Sequence, residues 1–255
     1  MKKFITLTLI ICMIFSTSIA FADTSSSRES FSKDNNAGIS YDMDDFAEYM
    51  QSNIDKEDTS ILVEKYFKNL RIKEDNGNSN NAKLDKSIIN KEGTKVLKEV
   101  KLDDTQSVTF YSNGTFAIDK LTVGDETIAD KASNTFISAS TVYSKTGSNT
   151  YTLYSQLGVK IVSLSVSSTF WYDGNQVAVV SQPNSTYTLN TTYYDLVFHD
   201  TLVIPGLGIW DTYSAETTGR LRASAKSTVY EIIAHCSVFC LKDGTIQKSQ
   251  GAEEL

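Results

Sequence analysis

The sequence contains little cysteine, histidine or proline. Its 255 residues include three cysteines, two histidines and two prolines. Three cysteines are too few for a small disulfide-stabilised scaffold. Neither the His-Glu-x-x-His motif of metalloproteases nor the Gly-x-Ser-x-Gly motif of serine hydrolases is present. These absences argue against the commonest metalloenzyme and hydrolase classes, and we expect neither a cofactor nor a metal.

The N-terminus has the pattern of a secretory signal peptide. Lys2 and Lys3 precede an almost unbroken apolar run over residues 4–14, and the small residues Ala20 and Ala22 follow. The run is shorter than the about 20 residues that a membrane-spanning helix needs. We therefore expect residues 1–22 to be a signal peptide that is cleaved near Ala22. The protein would then be secreted, either extracellular or associated with the cell wall; a retained membrane anchor is the alternative.

Cleavage of this segment would leave an acidic chain. Of the 24 Lys and Arg residues two lie in the signal, so 22 remain against 31 Asp and Glu, a formal charge of −9. Such a charge argues against binding to nucleic acid or to an anionic membrane. A chain poor in proline and rich in asparagine, lysine, isoleucine and serine is typical of a low-GC Gram-positive bacterium.

The next region, 23–93, predicts an acidic and partly helical N-terminal arm or pro-region. Residues 23–40 are rich in Ser, Asp and Asn and are expected to be disordered. Apolar spacing predicts one helix over 42–54 and a second over 59–70. Composition predicts a linker over 74–82. The region is interpreted either as a pro-region or mobile arm that docks on the following domain, or as a helical extension packed on that domain.

From residue 94 to 255, apolar residues alternate with a period of two. Turn signals recur every 8–12 residues without intervening helices, which predicts an antiparallel β-sandwich or barrel. Asn113-Gly114 marks a hairpin. A three-residue loop would place Phe110 opposite Phe116, which keeps aromatic side chains on one face, so we prefer it to a two-residue loop.

The middle of this domain is rich in Ser, Thr and Tyr. The sequence KTGSN over 145–149 predicts a turn, followed by one long run over 150–174. The apolar face of this run changes parity near Ile161 and Val162. A bulge or bend at Gly158 would explain the change. Two short strands are expected after the turn near Pro183.

The stretch VYEIIAHCSVFCL, residues 229–241, contains both remaining cysteines and one histidine. Its even positions are uniformly apolar or thiol, which predicts a core strand. Cys236 and Cys240 would then lie about 13 Å apart, beyond the about 7 Å that a disulfide allows. His235 would point away from both. We therefore expect two buried free thiols and no metal site here.

Acid–base chemistry has candidates but no motif. His199 and Asp200 are adjacent, so on a strand their side chains point to opposite faces. Asp211, Glu216 and Glu231 are further carboxylates. A secreted hydrolase could assemble a site from scattered residues such as His199, Asp211 and Glu216. A second alternative is a toxin that inserts a β-hairpin into membranes, because long strands alternating in Ser and Thr occur in such proteins.

Aromatic residues next to turns provide the leading hypothesis. Trp171 and Tyr172 precede the Asp173-Gly174 turn, and Trp210 follows a glycine-rich loop. Such residues suit stacking on sugar rings or packing against a protein, unless they are core anchors. The sequence therefore predicts a non-enzymatic secreted protein that binds a cell-envelope, matrix or host component. The expected partner is a cell-wall polysaccharide or a surface protein.

Overall fold

The computed structural model describes residues 41–75, 95–129, 141–227 and 231–254. They belong to one compact unit that spans 36–255. The predicted signal peptide, the Ser- and Asn-rich segment 23–40 and most of the predicted linker 74–82 lie outside the described residues. The interpretation of those segments stays a prediction.

Two helices and twelve strands are present in the described part of the chain. Their bounds are α1 (Met43–Asn53), α2 (Thr59–Asp75), β1 (Val96–Lys101), β2 (Gln106–Tyr111), β3 (Phe116–Val123), β4 (Thr127–Ile128), β5 (Tyr143–Tyr154), β6 (Lys160–Tyr172), β7 (Val177–Val179), β8 (Asn184–Leu189), β9 (Tyr194–Ile204), β10 (Ser214–Ala225), β11 (Glu231–Leu241) and β12 (Ile246–Glu254). Both helices fall where the apolar spacing predicts them, and α2 continues past Leu70.

The strands form two antiparallel sheets. Sheet A has eight strands in the order β1-β2-β3-β5-β6-β7, with β4 paired to β5 and β8 paired to β6. Sheet B has four strands in the order β12-β11-β10-β9. The prediction of a mainly β, antiparallel sandwich with a short helical N-terminal region is confirmed. The two sheets remain separate and open, so the barrel alternative does not apply.

The hairpin between β2 and β3 has the predicted register. Phe110 pairs with Phe116, and Val108 pairs with Ile118. Gly114 has a φ of 80°, the left-handed conformation that the third position of this loop requires. The hairpin therefore places four apolar side chains on one face of sheet A.

The predicted turn at 145–149 is wrong, because these residues lie inside strand β5. Close packing against sheet B, and not a turn, requires a glycine at position 147. A Cβ at this position would lie 2.7 Å from Val238 Cγ2 of sheet B. Asn149, which also suggests a turn, donates across the sandwich to the carbonyl of Ser237 at 3.1 Å. Both residues belong to the contact between the two sheets.

The change of apolar face near Ile161 and Val162 is produced by a bulge, as predicted, next to a chain reversal. Leu153 pairs with Val162 and Tyr154 with Lys160, so Ile161 is the extra residue. Because Ile161 is one extra residue in the ladder, the buried positions change from odd numbers in β5 to even numbers in β6.

A tight turn joins β5 to β6: the amide of Ser155 donates to the carbonyl of Val159 at 2.9 Å, and Gly158 has a φ of 71°. The single long run of the prediction is therefore the central hairpin of sheet A.

The two short strands expected after Pro183 also differ from those observed. Strand β8 ends at Leu189, and a turn follows in which Tyr193 donates to the carbonyl of Asn190 at 3.1 Å. Strand β9 then continues without a break from Tyr194 to Ile204. His199 and Asp200 lie in the middle of this strand.

The main hydrophobic core lies between sheets A and B. Its largest contributions come from β5 and β6 on one side and from β10 and β11 on the other. Tyr151, Leu164 and Phe170 face Leu221 and Ile232, and each is at most 1 % exposed. Strand β11 pairs with β10 and β12 on its two edges. The prediction that this segment is a central core strand is confirmed.

A second apolar cluster lies on the opposite face of sheet A. Phe46 and Met50 of α1 and Phe67 of α2 pack against Phe110 and Phe116 of the β2–β3 hairpin. The rings of Phe67 and Phe116 are stacked, with centroids 5.7 Å apart. At this end the molecule therefore has three layers: helices, sheet A and sheet B. The helical segment is packed on the β-domain, which both interpretations of the N-terminal region allow.

A buried ion pair joins the last strand to this framework. The Asp119 carboxylate on β3 is 1 % exposed, and it accepts hydrogen bonds from Ser107 Oγ at 2.7 Å and from Lys248 Nζ on β12. Lys248 Nζ also donates to the carbonyl of Thr105 at 3.0 Å. Two charges held in this way are costly to separate, because each would remain desolvated without its partner.

Asp119→Ala should therefore lower the free energy of unfolding by about 3 kcal/mol, since it leaves the Lys248 ammonium unpaired. Urea denaturation provides the measurement. Asp104→Ala is the matched control: it removes an ion pair with Lys101 in which both side chains are exposed, and no measurable change is expected. Equal changes in the free energy of unfolding would show that the buried pair stabilises the fold no more than the exposed pair does.

Candidate functional site

The outer face of sheet A carries an array of hydroxyl side chains. Every second residue of β5 and β6 faces the core, so the alternate residues face outward. Nearly all of the outward residues are Ser or Thr, and three more polar side chains continue the array on β8. We call this surface the hydroxyl face; it comprises Ser144, Thr146, Ser148, Thr150, Thr152, Ser163, Ser165, Ser167, Thr169, Asn184, Thr186 and Thr188.

Cross-strand hydrogen bonds order this array. Thr150 Oγ1 and Ser165 Oγ are 2.9 Å apart, as are Thr152 Oγ1 and Ser163 Oγ. Thr146 Oγ1 and Thr169 Oγ1 are 3.0 Å apart. Each hydroxyl has one donor and two acceptor sites, so a bonded pair still offers donor and acceptor capacity to a ligand. The face is therefore rigid, regular and able to form further hydrogen bonds.

None of the residues of the hydroxyl face is charged, the exposed Lys120 of β3 lies beside Thr150 at its edge, and the face has defined ends. At the β5–β6 turn it is bounded by the helical layer, where α2 contributes Arg71, whose guanidinium donates to the carbonyl of Leu157 at 2.9 Å. At the other end it is bounded by Trp171. Between Ser163 and Trp171 the strand rises about 26 Å at about 3.3 Å per residue. The dimensions suit an extended ligand.

Trp171 is partly exposed at the end of the hydroxyl face. It pairs with Ser144 of β5 on one side and with Ala178 of β7 on the other. The neighbours of Ala178, Val177 and Val179, both point into the core. Ala178 must therefore point outward, yet it is completely buried. Adjacent side chains cover it on the outer face.

Trp210 belongs to a segment that pairs with the other edge of β7. Val177 and Asp211 exchange two backbone hydrogen bonds of 2.8 Å, and Gly208 donates to the carbonyl of Val179 at 2.8 Å. This pairing adds segment 208–211 to the free edge of β7. Because Asp211 lies opposite Val177, the alternation of side chains places Trp210 on the same side as Ala178. Trp171 and Trp210 thus flank Ala178 on one face, and both are partly exposed.

Tyr172 does not share this position. It is 3 % exposed and points into the core, where its ring stacks on Tyr143 with centroids 5.8 Å apart. Its hydroxyl donates to the carboxylate of Glu126. Burial and this hydrogen bond raise the pKa of Tyr172 above its usual value. Of the three aromatic residues predicted to bind a ligand, the backbone pairing places Trp171 and Trp210 on one face of sheet A, whereas Tyr172 points into the core.

The residues considered for a hydrolase do not converge. His199 and Glu216 project from opposite faces of sheet B, since His199 pairs with the buried Leu221 and Glu216 with the outward Ile204. The Asp211 carboxylate accepts from the backbone amide of Tyr213 at 2.7 Å and so closes a turn. Each of these groups has a local structural partner.

Two other carboxylates considered from sequence are paired with arginines on the outer face of sheet B. Asp200 accepts two hydrogen bonds from Arg220, and Glu231 accepts from Arg222. Arg220 Nη2 lies 2.6 Å from Asp200 Oδ2. These pairs link neighbouring strands. Because they are partly exposed, each contributes little to the free energy of unfolding.

His199 has a neighbour that its sequence position does not suggest. Ser185 Oγ of β8 lies 2.9 Å from His199 Nε2, and the Tyr187 ring lies 4.7 Å from the imidazole. The contact joins the edge of sheet A to the edge of sheet B. Gly219 makes room for it, because a Cβ there would lie 2.5 Å from Ser185 Oγ. The geometry fits a structural contact between the sheets.

Both cysteines of β11 are free and completely buried. Cys236 Sγ lies 3.2 Å from the carbonyl oxygen of Asn149. Burial raises the pKa of each thiol to about 12. His235 projects to the other face, where its ring contacts Gly251. The described residues contain no group of three or more His, Cys, Asp or Glu side chains able to hold a metal ion.

The hydroxyl face has a signal in the sequence, although it was not assigned as a site. Ser and Thr alternate with apolar residues on both sides of the turn at 155–159. This pattern indicates strands and is the basis of the membrane-inserting alternative, but by itself it does not predict a binding surface. The position of Trp210 has no local signal. It depends on the pairing of Asp211 with Val177, which lies more than thirty residues earlier in the chain.

Within the described ranges, the helices are all too short or too polar to span a bilayer. Comparison with models of known protein families gives no match, and comparisons with curated proteins and with solved structures give none either.

The buried thiols provide a test of the core. Because burial holds their pKa near 12, both thiols should stay protonated and unreactive toward an alkylating reagent at neutral pH. Peptide mapping by mass spectrometry should find Cys236 and Cys240 unlabelled in the folded protein and both labelled in urea. Labelling of either in the folded protein, or a disulfide between them, would contradict this arrangement.

Proposed function

We propose that the protein is a non-enzymatic binding protein of the cell envelope and that its ligand is an uncharged polysaccharide. The ligand would lie along the hydroxyl face and stack on Trp171 and Trp210. The observation that carries the proposal is the coincidence of these features on one surface. An ordered, uncharged array of hydroxyls ends at two tryptophans that flank the buried Ala178.

Hydrogen-bond chemistry supports a sugar as the ligand. Sugar hydroxyls, like those of Ser and Thr, are both donors and acceptors, so two hydroxyl surfaces pair directly or through water. The residues of this face offer no counter-ion to a charged ligand, although Lys120 lies beside it on β3. The negative charge of the chain lies elsewhere, which disfavours anionic polymers in particular.

The aromatic residues support the same class of ligand. Indole rings present a large apolar surface with little conformational freedom, and sugar rings have apolar faces that pack on them. Two tryptophans on either side of a small residue form a platform wider than one ring. Exposed tryptophans also dominate the affinity of many interfaces. Trp171 and Trp210 are therefore the expected anchors, and the hydroxyls the expected source of orientation.

The arrangement of the central hairpin favours binding over membrane insertion. A hairpin that inserts into membranes is expected to lie loosely on its domain. Strands β5 and β6 instead form the centre of sheet A, with neighbours on both edges, and their inner side chains form the core. The hydrolase alternative has less support, because His199, Asp211 and Glu216 do not share a site.

Trp171→Ala should weaken binding to the polysaccharide by at least about tenfold, which corresponds to the about 1.4 kcal/mol or more that a central aromatic contributes. The measurement is co-sedimentation with two insoluble uncharged polysaccharides, cellulose and chitin, followed by a binding isotherm on the probe that retains the protein. Trp210→Ala should act in the same direction.

Tyr193→Ala is the matched control for these variants. Tyr193 is 53 % exposed, but it lies in the turn between β8 and β9, away from the tryptophan pair. Its removal should leave the isotherm unchanged. Retention of full affinity by the Trp171 variant, or failure of the wild-type chain to bind every probe, would overturn the proposal.

The hydroxyl array can be tested separately from the tryptophans. The double variant Thr150→Val, Ser165→Ala removes both partners of one hydrogen bond, so its free energy of unfolding should stay close to that of the wild type. Its affinity for the polysaccharide should fall roughly three- to tenfold, since each lost hydrogen bond is worth about 0.5–1.5 kcal/mol. An unchanged affinity would restrict the binding site to the tryptophans.

A further inference from the structure

Strand β9 is a long and exposed edge of sheet B. Among the described residues, the backbone of 195–204 pairs only with β10. Its other edge therefore presents unpaired amide and carbonyl groups. Such an edge is a template for another strand unless the protein protects it.

Apolar side chains flank this edge on both faces of the sheet. Phe198, Leu202 and Ile204 lie on the outer face, at 37 %, 40 % and 49 % exposure. Leu196 pairs with the buried Ala223 and lies on the inner side, with an exposure of 41 %. A partner that covers these side chains must contact both faces of the strand as well as its edge. That requirement describes an added β-strand and not a flat surface such as a lipid bilayer.

The other described edges carry the protection that β9 lacks. Strand β1 has three charged residues among six, β12 ends in two glutamates and contains Lys248, and the three-residue β7 is covered by segment 208–211. Strand β8 is short and polar. Strand β9 has eleven residues with neither lysine nor proline, and its bulge at Val197 lies outside the segment 198–204. This contrast marks β9 as an edge that is suited to pairing.

The charges on β9 are already neutralised. Asp200 is paired with Arg220, and Asp195 lies 3.3 Å from Lys226. The chain as a whole has a formal charge of −7, which opposes contact between two copies over most of the surface. At β9 the electrostatic repulsion between two copies is reduced, because each carboxylate has a cation next to it.

We propose that β9 pairs antiparallel with β9 of a second copy of this chain, about a two-fold axis near Thr201. This register places Phe198 opposite Ile204 of the second copy and Asp200 opposite its Leu202. Aromatic and β-branched side chains then face each other, and no like charges do. A register centred on Asp200 would bring two carboxylates together. The pairing joins two copies of sheet B into one eight-stranded sheet with an isologous interface.

Thr201→Lys tests the proposal, because it places two ammonium groups opposite each other at the two-fold axis. Thr201 is exposed in the single chain, so the substitution should leave the fold intact, as circular dichroism would verify. Sedimentation equilibrium of the full chain should show a dimer for the wild type. The variant should have a dimer dissociation constant raised by at least about tenfold.

Gln247→Lys is the matched control, since Gln247 is an exposed position on β12 at the opposite edge of the same sheet. It should dimerise like the wild type. A wild-type chain that is monomeric at every concentration it tolerates would overturn the proposal. So would dimerisation that Thr201→Lys leaves unchanged, or a β9 edge that binds phosphatidylglycerol vesicles as a monomer.

A cysteine variant tests the register independently. Residues directly opposite in an antiparallel pair have Cα atoms about 4.5–5.5 Å apart, which is within disulfide reach. Thr201→Cys should therefore form a covalent dimer under mild oxidation, visible on a non-reducing gel, whereas Gln247→Cys should not. Equal cross-linking of the two variants would mean random collision and would contradict the two-fold pairing at Thr201.

Discussion

The close approach of the two sheets determines most of this structure. At Gly147 and at Gly219 there is no room for a Cβ, because the other sheet lies within 3 Å of the place it would occupy. Asn149 spans the same gap and donates to backbone carbonyls of sheet B. Sheets held this tightly have one allowed register, since a shift by one residue would exchange every inner and outer side chain. The same register determines which side chains lie on the outer face of each sheet.

The outer face of sheet A has two areas that differ in their side chains. Around the β2–β3 hairpin the outward residues are aromatic, and the two helices cover them with a cluster of rings. Along β5, β6 and β8 the outward residues are hydroxyl side chains, which remain partly exposed because water satisfies them at little cost. The boundary between the two areas follows from side-chain chemistry alone. The helices thus complete the fold and leave one defined surface open.

The extent to which the sequence predicts this structure depends on how local each feature is. The hairpin at Gly114 and the core strand with Cys236 follow from short patterns, and both were predicted in detail. Gly147 was misinterpreted because a glycine in a strand that another sheet approaches looks like a turn residue. The turn before Lys160 lacks the usual Asn-Gly or Asp-Gly pair. The tryptophan pair could not be predicted at all, because only pairing between distant segments brings Trp210 beside Trp171.

The ion pair between Asp119 and Lys248 closes a loop of 129 residues. A contact of this range forms late, since the entropy of loop closure must be overcome before the contact contributes. The inner faces of β5 and β6 meanwhile have no apolar partner until the residues of sheet B are available. A nascent chain therefore carries an uncovered apolar sheet until synthesis has reached its final strands. During that interval the chain is prone to aggregate with other unfolded chains. Its yield therefore depends on how the cell keeps such chains apart as well as on the stability of the finished fold.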